Sequence, residues 1–195
     1  MKIELVFATN NAHKLGEVQA MVGDKFLLQS LSEINCHEDI PETGVTFHEN
    51  AKQKTDYLVK NYQVINCFGD DSGLLIDALD GEPGVYSARY SGSRDMAANI
   101  NLVMQRMAGK ANRSARFKTV ISLYLNGAQY FFEGSVEGTI IEEQRGTEGF
   151  GYDPIFIPLG ATKTFAEMSA SDKNAISHRS IAIGKMVDFL KDIKL

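Results

Sequence analysis

Asp70 and Asp71 stand side by side after the short apolar run 64–68, and Ser72-Gly73 follows them. Adjacent carboxylates repel each other and resist burial, and a divalent cation relieves both problems. Hard oxygen ligands select Mg²⁺ or Mn²⁺ over zinc. The same residues in an acidic turn would instead cap backbone N–H groups, and their spacing does not decide between the two. Glu42, in Pro41-Glu42-Thr43-Gly44, would either complete an acidic metal site or be an ordinary solvated loop carboxylate. Lys54 falls on the apolar side of a predicted helix with Phe47, Ala51 and Leu58, which calls for a buried anionic partner.

Two further clusters suit an anionic or flat ligand. Thr9-Asn10-Asn11-Ala12-His13-Lys14 joins a predicted strand to a predicted helix. A helix N-terminus offers free N–H groups and partial positive charge, and Lys14 adds a full charge, so the turn suits a phosphate; a plain helix cap with a solvated lysine is the alternative. It carries neither the P-loop pattern nor the Gly-x-Gly-x-x-Gly turn. Gly149-Phe150-Gly151-Tyr152-Asp153-Pro154 puts two aromatics between glycines, so backbone can approach a flat ligand while a ring stacks on it. Downstream, Lys173 and Ser177-His178-Arg179 add donors at a helix start; core, cap and surface roles are the alternatives for each residue. Cys36-His37-Glu38-Asp39 reads as surface loop, because adjacent residues cannot all face one ion. No Ser-His-Asp or Cys-His arrangement stands out.

Strands are predicted over residues 3–8, 26–31 and 64–68, and helices over 14–22 and 95–107. Thr46-Phe47-His48-Glu49 has capping-box spacing and opens a helix over 47–61. Residues 32–43 and 81–92 read as loops, and 74–79 as either strand or short helix. Asn126-Gly127 supplies the positive φ values of a tight hairpin turn between runs 116–125 and 129–136. A strand stub is expected over 155–157 and a helix from 177 to the end. Helices alternate with early strands and a hairpin follows, which makes an α/β chain with a mixed sheet flanked by helices.

Composition narrows the function. The net charge is −5, from 20 Lys+Arg against 25 Asp+Glu, and the basic residues are scattered. A protein gripping a nucleic-acid backbone would show a basic surplus or stripe, so polymer binding is disfavoured while a small anion is not. No stretch approaches the ~18 apolar residues of a membrane helix, and Glu4 within the first apolar run argues for a buried strand over a signal peptide. Cys36 and Cys67 are too few for a disulfide framework, and reduced thiols in the cytoplasm are the simpler reading. With 195 residues, 44% of them apolar, the chain can bury a core without staples and reads as a single domain, 1–195.

The segments 7–14, 47–51, 70–74, 81–90, 149–154 and 177–179, taken in order, resemble the noncanonical purine nucleoside triphosphate pyrophosphatases, the inosine triphosphatase or Ham1-like enzymes. The resemblance spans nearly the whole chain. It implies a homodimer with an elongated mixed sheet, two lobes and a central substrate cleft. It also implies hydrolysis of dITP, ITP and XTP to the monophosphate and pyrophosphate, with Mg²⁺ or substituting Mn²⁺. Carried across by position, Thr9, Asn10, Asn11, Ala12, His13 and Lys14 would hold the triphosphate, with Lys54 beside it. Asp71 would be general base and metal ligand, with Glu42 and Asp70 as further ligands, and Ser72 a substrate contact. Phe150, Gly151, Tyr152, Asp153, Lys173, His178 and Arg179 would surround base and ribose. Thr55 stands where an Ala commonly follows the lysine, and Tyr152 where some members have Trp.

The implied mechanism has water attack the α-phosphorus while Asp71 takes its proton and Lys14 neutralises the departing pyrophosphate. Two rivals make different predictions. A Maf-like pyrophosphatase would act on pyrimidine or modified nucleotides, and a nucleotide sensor would bind triphosphate without hydrolysing it.

Overall fold

Residues 3–8 are apolar at nearly every position, and a strand with both faces covered explains that. In the computed structural model, which describes residues 2–193 apart from the side chains of Ala12, His13, Glu17 and Ala20, β1 (Ile3–Phe7) packs Leu5 and Phe7 into one cluster and Val6 into another. It runs parallel to β2 (Phe26–Gln29) on one side and to β3 (Asn66–Ile76) on the other. The sheet continues with β4 (Ser114–Leu125), β5 (Ala128–Ile140) and β6 (Phe156–Pro158), in the order β2-β1-β3-β4-β5-β6. Asn126 and Gly127, at φ of 50° and 82°, form the two-residue turn between β4 and β5, and β6 pairs antiparallel with β5. The sheet is therefore mixed, as expected. Its helices are α1 (Ala12–Val22), α2 (Phe47–Tyr62), α3 (Met96–Met107), α4 (Ala170–Ile176) and α5 (His178–Asp192).

The chain divides into two compact units, and β3 passes from the first to the second between Asp71 and Ser72. In the first unit α1 and α5 bury Val18, Val22, Ile183, Met186, Val187 and Leu190 with Phe7 and Phe68, whose rings stack at 4.2 Å. The second unit has its own core of Leu74, Ile76, Ile100, Val103, Met107, Phe117, Phe156 and Phe165.

The largest departure from the sequence reading is β3. The sequence reading ends the strand at Gly69-Asp70-Asp71-Ser72-Gly73, but the strand runs straight through these residues and is 11 residues long. Gly69 is there for space: a Cβ at this position would lie 2.8 Å from Lys54 Cβ and 3.2 Å from the Ala51 carbonyl, so α2 crosses directly over the strand. The 74–79 segment is both things, strand to Ile76 and a single 3₁₀ turn over Asp77–Leu79. The sequence reading has no element over 170–176, where Ser169 caps α4 through the Asp172 N–H at 3.1 Å.

Candidate active site

In the first unit α1 starts where the expectation placed a cap. Asn11 Oδ1 accepts the Lys14 N–H at 3.2 Å and Thr9 Oγ1 accepts the Asn11 N–H at 3.1 Å. Asn10 Oδ1 takes both the N–H and the hydroxyl of Ser32, at 2.9 and 2.7 Å. The side chains of Ala12 and His13, both expected at the phosphate, lie outside the described residues.

Successive strand residues point to opposite faces, and this splits the acidic pair. Asp70 is met by Lys14 from α1, Nζ standing 3.1 and 3.2 Å from its two carboxylate oxygens. Asp71 faces α2, where Asn50 Nδ2 donates to Oδ2 at 3.0 Å. Lys54, one turn further along α2, reaches the Asp70 carbonyl at 2.6 Å and Glu42 Oε1 at 2.5 Å. The buried anionic partner that the position of Lys54 demanded is present. Burial by itself would push the Lys54 ammonium down, but Asp70, Glu42 and Asp71 outweigh it and hold it above its ordinary value.

Burial pushes the Asp71 carboxyl up to about 6; Lys54 and the Asn50 hydrogen bond pull the other way, and the Glu42 and Asp70 charges add to the rise. A further cation would be stabilised here. Asp71 and Glu42, both beside α2, are the hard oxygen donors that suit a Mg²⁺-type ion. Asp70 is not placed with them: it leaves the other face of β3 and already holds a lysine. Among the described residues no three His, Cys, Asp or Glu side chains are grouped to hold a metal ion. Of the three carboxylates expected around one ion, neighbours in a pleated strand diverge: Asp70 is turned to Lys14, while Asp71 and Glu42 are the two that approach α2.

The raised carboxyl has a measurable consequence for stability. Between about pH 4 and 6 the folded chain keeps a proton on Asp71 that the unfolded chain, at the ordinary 3.8, has released. Folding stability from this group therefore falls as pH rises through that window, by up to about 3 kcal/mol. Urea denaturation in chelator should show Asp71→Asn gaining on the unsubstituted protein as pH goes from 4 to 7. If the unsubstituted protein gains instead, burial is not what governs Asp71.

In the second unit, Asp153 is 2% exposed. It accepts the Phe150 N–H at 2.8 Å through Oδ2 and pairs with Lys173 through the same oxygen. Gly149 sits at φ +80° with its would-be Cβ only 2.2 Å from that oxygen, so the loop closes around the carboxylate only because no side chain is there. The Phe150 ring is 53% exposed, with Lys173 Nζ 4.6 Å and Arg179 Cζ 5.4 Å from its centroid. An exposed ring beside two cations is a platform for a flat, electron-rich ligand. His178 is buried, stacked on Phe117 at 4.9 Å, and Ser177 caps α5 by accepting the Ser180 N–H at 3.1 Å.

Tyr152, expected beside the base, is a core residue. It is 3% exposed, its hydroxyl donates to the Ser87 carbonyl at 2.8 Å, and burial pushes its phenol up. Ser72 shares a hydrogen bond with the buried Thr119 at 2.8 Å. The sequence reading assigned no role to Thr119 or to Asn50. Asn50 carried a usable signal: it precedes Lys54 by four residues on the same helix face, where a polar side chain needs a partner.

The sequence matches the family model described as "Ham1 family" over residues 5–189. A Flavobacterium johnsoniae protein named dITP/XTP pyrophosphatase is 49% identical over 193 residues, covering 98% of this chain and 100% of the relative. A Bacillus subtilis protein of the same name is 45% identical over 195 residues, covering 96% and 97%. The structure of a HAM1 protein from Coxiella burnetii matches with a TM-score of 0.92 at 38% identity, covering 98% of this chain and 100% of that one.

Proposed function

The chain belongs to the Ham1 family, and from that premise we propose that it hydrolyses noncanonical purine nucleoside triphosphates, dITP, ITP and XTP, to the monophosphate and pyrophosphate. The observation that carries the mechanism is Asp71: a buried carboxyl held near 6, with the Lys54 charge nearby and Asn50 hydrogen-bonded to it, is poised to take a proton at neutral pH. Asp71 accepts the proton of the water that attacks the α-phosphorus. The start of α1, with Thr9, Asn10, Asn11, Ala12 and His13, holds the triphosphate, and Lys14 and Lys54 set their charges against it. For Lys14 this means turning from Asp70 to phosphate. Ser72, fixed by Thr119, contacts the substrate.

Mg²⁺, with Mn²⁺ as a substitute, would be held by Asp71 and Glu42 and would neutralise charge on the departing pyrophosphate. Phe150 stacks on the base. Lys173, His178, Arg179 and the backbone N–H groups of 149–153 are donors for the 6-oxo group of hypoxanthine or xanthine, and the 6-amino group of adenine would meet those donors unpaired. We place the enzyme in the cytoplasm as a homodimer; its cysteines, Cys36 and Cys67, are buried thiols. Among the described residues no helix is long and apolar enough to cross a membrane.

The test is pyrophosphate release from ITP, XTP, GTP, ATP, dTTP and UTP, with and without EDTA. ITP and XTP are expected to exceed ATP by about 10²-fold or more, and EDTA is expected to abolish the release. Equal rates on ATP and ITP would overturn the donor pocket, preference for dTTP or UTP would favour pyrimidine substrates, and triphosphate binding without hydrolysis would make the protein a sensor.

A further inference from the structure

Asn50 is fully buried, and each end of its amide is committed. Its Nδ2 donates to Asp71 Oδ2 at 3.0 Å, and its Oδ1 accepts the Gly44 N–H at 2.8 Å. Gly44 is two residues from Glu42, in the loop that leads into α2. That loop is tied to the helix by four consecutive backbone N–H groups: Thr43 to Gln53 Oε1, Gly44 to Asn50 Oδ1, and Val45 and Thr46 to Glu49 Oε2. Three of these bonds hold only the loop. The one made by Asn50 couples the loop to Asp71.

We infer that Asn50 is a positioning residue, whose single amide fixes the carboxylate plane of Asp71 and the place of Glu42 together. The inference rests on the proposed roles of those two carboxylates. A carboxylate can turn about its last torsion at little cost, so a base and a metal ligand on separate elements would wander relative to each other. A buried amide with a donor on one and an acceptor on the other prevents this. Aspartate or leucine cannot do it: aspartate lacks the donor and leucine lacks both groups. The close approach at Gly44 is part of the device. A Cβ there would lie 2.5 Å from Glu49 Cβ and 2.9 Å from Asn50 Oδ1.

Three substitutions separate the two halves. Asn50→Asp keeps the Gly44 acceptor and loses the donor to Asp71, so kcat on ITP at saturating Mg²⁺ should fall by about 10²-fold with KM for ITP within about threefold. Gln53→Ala frees the Thr43 N–H, next to Glu42, and leaves both Asn50 hydrogen bonds untouched; it should raise the Mg²⁺ concentration for half-maximal rate by about tenfold while sparing kcat. Asn50→Ala should do both. Independently of activity, hydrogen exchange of the Gly44 amide should be slow in the unsubstituted protein, slow in Asn50→Asp and faster in Asn50→Ala. A kcat for Asn50→Asp within twofold of normal, or unchanged Gly44 exchange in Asn50→Ala, overturns the inference. If the unsubstituted protein hydrolyses no nucleotide, the proposed function fails, and the Gly44 exchange series still judges the coupling by Asn50.

Discussion

Asp71→Asn is expected to lower kcat for ITP by about 10²- to 10⁴-fold while triphosphate still binds. That range is what a positioned general base contributes. The substitution is nearly isosteric, so the Asn50 contact at 3.0 Å can be re-formed to the Asn side-chain oxygen, and Lys14 stays opposite Asp70. What disappears is a proton acceptor whose burial had brought it up to about 6. Single-turnover pyrophosphate release measures the loss, and titration with a slowly hydrolysed triphosphate analogue measures binding. Near-normal turnover in the variant would remove Asp71 from the base role; equal loss of binding and turnover would make it a binding residue.

The second large effect is on stability. Lys54→Met takes away the ammonium that lies 2.5 Å from Glu42 and 2.6 Å from the Asp70 carbonyl. Its side chain is 13% exposed, so water cannot replace it. Removing one partner of a buried charge cluster costs about 3–5 kcal/mol because the remaining charges are stranded. At this chain length, that lowers Tm by about ten degrees. The sign of the pH dependence follows from Asp71. Losing a nearby cation raises its carboxyl further, so the folded variant binds protons more tightly than the unsubstituted protein, and its deficit grows as pH rises from 5 to 8. Added Mg²⁺ should recover part of the deficit at pH 8 by supplying the missing positive charge. Thermal melts at both pH values with and without Mg²⁺ check this, and a deficit that is the same at pH 5 and 8 would show that lost packing, not stranded charge, sets the cost.

These expectations depend on groups whose types were legible in the chain and whose pairings were not. Lys54 announced a buried counter-charge because a lysine on an apolar helix face has no other account. Asn50 sent the same signal, yet an amide gives no hint of which of its two ends matters. The capping box at Thr46 and Glu49 was readable because it is local, and both reciprocal bonds form. The Asn126-Gly127 turn was readable for the same reason. The sequence reading ends the strand at Gly69 because the apolar run stops there; the strand continues through Gly73 because α2 needs the space over Gly69 and because each acid finds a partner from a different helix.

By itself the sequence determined the alternation of helices and strands, the capped helix starts, the hairpin, and the inventory of lysines, carboxylates and loop aromatics, since all of these follow from neighbours within a few residues. Only the tertiary structure decided that Asp70 and Asp71 part company, that Tyr152 is core and Phe150 exposed, and that Asn50 joins Asp71 to the Glu42 loop. The reason is that a pleat, a burial or a hydrogen bond between residues 21 apart is set by where whole elements pack, and no local pattern encodes it.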